Sequence, residues 1–151
     1  MKIRIHDFVE STTALGPGTR CAIWLQGCKR NCKGCMSPES RDMEGGYIEG
    51  VDSLAEHVLA INGIEGITIS GGDPFYQPDA LLELLKIIKS KSNLGVIIYT
   101  CFYFDELKEM NNAAVEEIIT NLSDLIIDGP YVEELNDDGY LRGSSNQQLN
   151  L

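Results

Sequence analysis

Three of the chain's five cysteines fall within eight residues, Cys28-Lys29-Arg30-Asn31-Cys32-Lys33-Gly34-Cys35. A loop this short can turn three thiolates, spaced Cys-x3-Cys-x2-Cys, toward one point, and converging thiolates select soft metal centres, above all zinc and iron–sulfur clusters. The two differ in ligand count. Structural zinc takes four ligands, and the fourth here would have to be Cys21 on the preceding strand or the distant Cys101. A cubane [4Fe–4S] cluster held by three cysteines leaves one iron without a protein ligand, open to a substrate or cofactor. An odd cysteine count with three crowded together does not suggest a disulfide framework.

Ser70-Gly71-Gly72-Asp73-Pro74 is the second stretch that could carry chemistry. Two glycines at a strand end let the backbone approach a ligand closely, with N–H and C=O groups free to bond. The Asp73 carboxylate can accept from an ammonium group. Taken alone, Gly-Gly-Asp-Pro is more often just a turn; its position one βα unit after the cysteine loop raises it above that. Thr100 and Asp128 also end apolar runs, where a polar residue often serves only as a helix cap. No Ser-His-Asp or Cys-His set stands out. His6 reads as a solvated strand residue, His57 as exposed, Cys21 as a small core residue and Trp24 as core rather than contact.

The elements that position these residues follow from periodicity. Residues 2–9 alternate, Ile3 and Ile5 against Lys2, Arg4 and His6, which predicts a strand with one wet face at a sheet edge. Gly16-Pro17-Gly18 turns into a buried strand from Cys21 to Gln26, and Gly27 lets the chain enter the cysteine loop. Residues 36–50 show no period. Ser53 with Glu56 predicts a capping box, followed by a helical stripe of Leu54, Ala55, Val58, Leu59 and Ile61 that Gly63 stops. A short strand covers Ile64 to Ser70. Pro78 opens the best helix, with Leu81, Leu84, Leu85 and Ile88 on one face and Glu83, Lys86 and Lys89 on the other. Val96 to Thr100 and Leu125 to Ile127 are buried strands, with a short helix from Asp105 and a weaker one from Ala113 to Thr120 between them.

From residue 20 on, this is strand–loop–helix repeated, with apolar strands that do not alternate. Such strands are buried on both faces and imply a mainly parallel sheet with helical crossovers, an α/β fold. About four to six βα units are too few for a closed eight-unit barrel, so the sheet must be an open, partial (β/α) barrel. Every loop singled out above follows a strand and lies on the edge where such sheets bind ligands.

At 151 residues the chain is most simply one domain, 43% apolar, without linker, repeat or low-complexity run. No stretch is long and apolar enough to span a bilayer, and the N-terminus alternates rather than forming a signal-peptide core, which predicts a soluble, intracellular, cytoplasmic protein. Twelve basic against twenty-three acidic residues give a net charge of −11, which argues against nucleic acid or an anionic membrane as partner.

The cysteine spacing resembles the signature of the radical S-adenosylmethionine (SAM) enzymes. Trp24-Leu25-Gln26-Gly27-Cys28 running into Cys32 and Cys35, preceded by Gly16-Pro17-Gly18-Thr19-Arg20, resembles the activating enzymes of glycyl radical enzymes. Asp128-Gly129-Pro130-Tyr131 and Leu141-Arg142-Gly143-Ser144-Ser145-Asn146-Gln147 resemble one branch, which activates anaerobic (class III) ribonucleoside-triphosphate reductase. The resemblance covers nearly the whole chain. It departs from the wider pattern at Gly34, where many radical SAM proteins carry an aromatic residue, and from the branch at Met36-Ser37, where an aromatic-Asn pair is common.

The resemblance implies that Cys28, Cys32 and Cys35 hold three irons of a [4Fe–4S] cluster and that SAM chelates the fourth. One electron then cleaves SAM to methionine and a 5′-deoxyadenosyl radical, which takes a hydrogen from a glycine Cα of the partner protein. It further implies that Gly34, Cys35 and Met36 border SAM, with Gly71, Gly72 and Asp73 at its methionine end and Thr100 and Asp128 as further candidates. The implied partners are a glycyl radical enzyme, the anaerobic reductase first and a pyruvate formate-lyase as the alternative, and a reductant such as flavodoxin or ferredoxin. A zinc-stabilised binding module without catalysis is the competing reading of the cysteines.

Overall fold

The computed structural model describes residues 1–28, 43–129 and 146–150. Cys32, Gly34, Cys35 and Met36, with the 130–145 part of the C-terminal motifs, lie outside the described residues. The strands are β1 (Lys2–Thr12), β2 (Arg20–Leu25), β3 (Tyr47–Gly50), β4 (Gly66–Gly71), β5 (Gly95–Tyr99), β6 (Leu125–Asp128) and β7 (Gln148–Asn150). The helices are α1 (Val51–Ala60), α2 (Pro78–Lys91), α3 (Phe104–Glu109) and α4 (Ala113–Glu117), the last running into a π-helical turn over Ile118–Leu122.

Among the described residues the strands form one sheet in the order β3-β1-β2-β4-β5-β6-β7. Its centre, β2-β4-β5-β6, is parallel, as unalternating apolar strands require. Cys21, Ile23, Leu25, Ile67, Ile69, Val96, Ile98 and Ile126 are all buried in one core. Against it pack Val51, Leu54, Ala55 and Val58 of α1 and the predicted stripe Leu81, Leu84, Leu85 and Ile88 of α2, every one of the latter fully buried.

Both flanks of the sheet are antiparallel, and here the structure departs from expectation. β1 has the predicted alternation, with Ile3 and Ile5 buried, but it is not an edge strand: β3 pairs along its outer side, Ile5 opposite Tyr47. At the other flank β7 pairs antiparallel with β6. β3 and β7 are short and largely exposed, so neither carries an apolar pattern to read. The Ser53–Glu56 capping box is also absent. Helix α1 starts three residues earlier, at Val51, whose N–H donates to Met1 O at 3.0 Å, and Gly50 caps it with no side-chain bond. A cap is worth about 1 kcal/mol, while each buried aliphatic side chain contributes about 1.5–3 kcal/mol, so burial decides where this helix begins.

At the N-terminal edge of the parallel strands Arg20 is buried and acts as a staple. Its Nε donates to Thr68 Oγ1 at 3.0 Å, Nη2 to Ile67 O and Gly95 O at 2.9 Å each, and Nη1 to Pro17 O at 3.2 Å. One guanidinium thus joins the starts of β2, β4 and β5 to the Gly-Pro-Gly turn. Burial lowers its pKa from the ordinary arginine value, opposed by Asp124 and Glu65.

Candidate cofactor site at the C-terminal edge of the sheet

Four strand ends converge opposite Arg20. β2 delivers Gly27 and Cys28, β4 delivers Gly71-Gly72-Asp73, β5 delivers Thr100-Cys101, and β6 ends in Asp128-Gly129. Gly27 has φ +111°, a conformation side chains rarely adopt, and turns the chain out of the sheet so that Cys28 follows, 7% exposed. Gly71 has φ +121°, and a Cβ there would run into the backbone N and O of Leu25.

The glycine turn is tied directly to the start of the cysteine loop. Gly72 N–H donates to Leu25 O and Asp73 N–H to Gly27 O, both at 2.9 Å. The strand end that carries the first cysteine and the one that carries the Gly-Gly pair are therefore a single hydrogen-bonded unit. This is the juxtaposition expected from the sequence.

The polar residues of the edge are occupied in ways the sequence did not disclose. Asp73 is fully buried, and its carboxylate accepts from Phe75 N at 2.9 Å, from the Thr100 hydroxyl at 2.9 and 3.1 Å, and from Cys101 N at 2.6 Å. The Thr100 hydroxyl in turn accepts from Phe102 N at 3.1 Å, and the Cys101 thiol donates to Gly72 O at 3.7 Å. Asp128 accepts from Phe104 N, the first residue of α3, at 2.7 Å and from Gln148 N of β7 at 2.9 Å. Asn146 donates to the Tyr103 hydroxyl at 3.0 Å and Gln147 to Gly129 O at 2.9 Å, so the described end of the Arg-Gly-Ser-Ser-Asn-Gln motif packs on this edge. Cys101 was weighed in the sequence only as a distant zinc ligand and Tyr103 only as the end of a strand-end loop, so their bonds to Asp73, Gly72 and Asn146 were not foreseen. Their position after an apolar run was the only available signal.

The cysteines separate by environment. Cys21 is fully buried in the core as expected, and burial, with Glu10 adding to it, pushes its thiol up to about 12. A thiol so reluctant to ionise is a poor metal ligand. Cys28 stands at the edge where backbone and thiol groups meet, and a soft sulfur donor at the head of a Cys-x3-Cys-x2-Cys run suits an iron–sulfur cluster. His57 is exposed, stacked on Phe8 at 4.6 Å and facing Glu10 at 3.1 Å, on a different part of the molecule.

Residues 14–150 match the family model of the 4Fe-4S single cluster domain. The chain is 31% identical over 159 residues to the anaerobic ribonucleoside-triphosphate reductase-activating protein of Salmonella typhi, covering 96% of both chains. It is 30% identical over 150 residues to that of Escherichia coli K12, covering 94% of both. It is also 28% identical over 142 residues to the pyruvate formate-lyase-activating enzyme of Clostridium pasteurianum, covering 91% of this chain and 55% of that one. The chain belongs to the 4Fe-4S single-cluster family and, within it, to the anaerobic ribonucleoside-triphosphate reductase-activating proteins.

Proposed function

We propose that this chain is a single-domain radical SAM activating enzyme that generates a glycyl radical on an anaerobic ribonucleoside-triphosphate reductase. Cys28, Cys32 and Cys35 hold a [4Fe–4S] cluster. Gly34, Cys35 and Met36 border SAM, and Gly71, Gly72 and Asp73 lie at its methionine end, with Thr100 and Asp128 at the neighbouring strand ends. When bound, cluster and SAM together supply the electron and the organic radical that takes hydrogen from the partner's glycine. This chain's own residues bind, orient and shield. The glycine turn presents main-chain groups, and Asp128 and Gln147 hold the β6 end of the edge in place. A partially barrel-shaped, open sheet of about four to six βα units suits a substrate that is a loop of another protein and enters from the side.

The observation that carries this reading is the pair of bonds joining Gly72 and Asp73 to Leu25 and Gly27. They hold the chain just before Cys28 and the Gly71-Gly72 turn side by side on one sheet edge, which supports a shared site there. The electron comes from a reductant protein such as a flavodoxin or ferredoxin in the cytoplasm, where those reductants are found. Among the described residues no helix is long and apolar enough to cross a membrane. A net charge of −11 argues against nucleic acid as a partner.

The test is anaerobic purification with cluster reconstitution, metal analysis, and dithionite reduction with SAM. About four irons per chain, reductive release of 5′-deoxyadenosine and a glycyl radical signal on co-incubated anaerobic reductase are expected. Zinc without iron after reconstitution overturns the enzyme reading. A glycyl radical formed on pyruvate formate-lyase and not on the reductase overturns the choice of target.

A further inference from the structure

Asp73 stands in the stretch assigned to the cofactor, yet its carboxylate is buried and bonded within the protein. It is fully buried, and among the described residues three donors from two chain segments converge on it: Phe75 N just downstream on its own segment, and the Thr100 hydroxyl and Cys101 N at the end of β5. Its main chain points elsewhere. Asp73 N–H donates to Gly27 O, one residue before Cys28, and Tyr76 N–H donates back to Asp73 O at 3.3 Å. The Cys101 thiol closes the arrangement from the β5 side by donating to Gly72 O. One residue thus connects the β2 end that carries the cluster cysteine, the glycine turn and the β5 end.

We infer that Asp73 is a positioning residue that acts on SAM binding without touching SAM: its carboxylate clamps the end of β5 to the glycine turn, and the clamp fixes the turn's main-chain groups relative to Cys28. This rests on the proposed function and names how its site is preorganised. A carboxylate buried among three donors has an internal task, and hydrogen bonds to a charged acceptor are the strong ones. Loss of the clamp leaves the turn attached to β2 but held to the end of β5 by the weak Cys101 thiol bond to Gly72 O, so more of the turn's ordering falls to the moment SAM binds.

The clamp and a direct ion pair to the SAM ammonium predict opposite responses at Thr100. Under the clamp, Thr100→Val removes one of its bonds and weakens SAM binding about three- to tenfold. Thr100→Ser keeps the hydroxyl and recovers most of that loss. Asp73→Asn places an amide where Cys101 N–H or Thr100 needs an acceptor and weakens SAM binding about tenfold. The double variant is no worse than Asp73→Asn alone, because both changes break one unit.

The measurement is calorimetric titration of SAM into reconstituted protein under anaerobic conditions, with iron content and the electron paramagnetic resonance of the reduced cluster recorded alongside. We expect unchanged iron and an unchanged SAM-free signal in each variant, with the SAM-induced spectral change reached only at higher SAM. If the carboxylate itself paired with the ammonium, Thr100→Val would free a lone pair, leave affinity equal or higher, and add independently to Asp73→Asn. That result overturns the inference and spares the proposed function. Should Asp73→Asn not fold, the Thr100→Val and Thr100→Ser pair decides alone. Wild-type protein that holds iron but binds no SAM overturns both.

Discussion

Replacing Arg20 by Met should cost stability and leave the cofactor site working, although Arg20 belongs to one of the motifs by which the chain resembles its relatives. The residue lies at the start of β2 and Cys28 beyond its end, roughly 16 Å of strand away. Arg20 is 4% exposed, and its guanidinium makes four hydrogen bonds, to Thr68, Ile67, Gly95 and Pro17. Met fills similar volume but donates nothing. Removing a buried charged group with four hydrogen bonds leaves its acceptors without donors and costs about 3–5 kcal/mol rather than the sum of its bonds. For a chain of this size each kcal/mol moves the melting temperature by about 2–4 °C, so a drop of about 6–20 °C follows. Arg20→Lys, which keeps the charge but loses the planar fork, should fall between. The assay is thermal unfolding followed by circular dichroism, paired with SAM titration of the reconstituted variant below its melting temperature. A melting point within about 2 °C of wild type would refute the staple. Unchanged stability with lost SAM binding would move Arg20 into the site.

Two further outcomes follow from the same edge and core. Gly71→Ala should destabilise the protein by about 3 kcal/mol or more, since φ +121° strains any side chain and the Cβ meets immovable Leu25 backbone; wild-type denaturant midpoints in the Ala variant would contradict this. Cys21, held protonated up to about pH 12, should resist alkylation at pH 8 in the folded protein and react on unfolding, and Cys21→Ala should leave iron content unchanged. Mass spectrometry of labelled cysteines and iron analysis check both points.

The parallel centre of the sheet was legible because burial writes itself into composition. Ile67, Ile69, Val96 and Ile98 stand in runs that only a doubly covered strand tolerates, and the α2 stripe is an unbroken helical face. The flanks were illegible for the opposite reason. β3 is Tyr-Ile-Glu-Gly with its first two residues exposed, and only the pairing with β1 makes it a strand. Within the site, residue types and spacing placed Cys28, Gly71, Gly72, Thr100 and Asp128 on one edge, as found. What each polar side chain bonds to was hidden, because Asp73 reaches Thr100 and Cys101, and Asp128 reaches Phe104 and Gln148, only through tertiary neighbours. Arg20 was noticed only as part of a motif, and its staple depends on Gly66, where a Cβ would collide with the guanidinium.

The segment that carries the cysteines leaves β2 at Cys28 and is back at the sheet by Met43. Both points are held: Asp73 N–H grips Gly27 O, and Arg4 Nη1 donates to Glu44 O and Gly45 O at 3.0 and 2.9 Å. They are also neighbours, since Met43 Cα lies 3.6 Å from where a Cβ on Gly27 would stand. The polypeptide between them is therefore a closed ring before any iron arrives. In an open chain, gathering three thiols would charge the cost of ring closure to metal capture. Here folding has already brought the two ends of the segment together and met part of that cost. On the ligation proposed above, cluster affinity should fall when either anchor is weakened, at Arg4 or Gly27, even though no cysteine is touched.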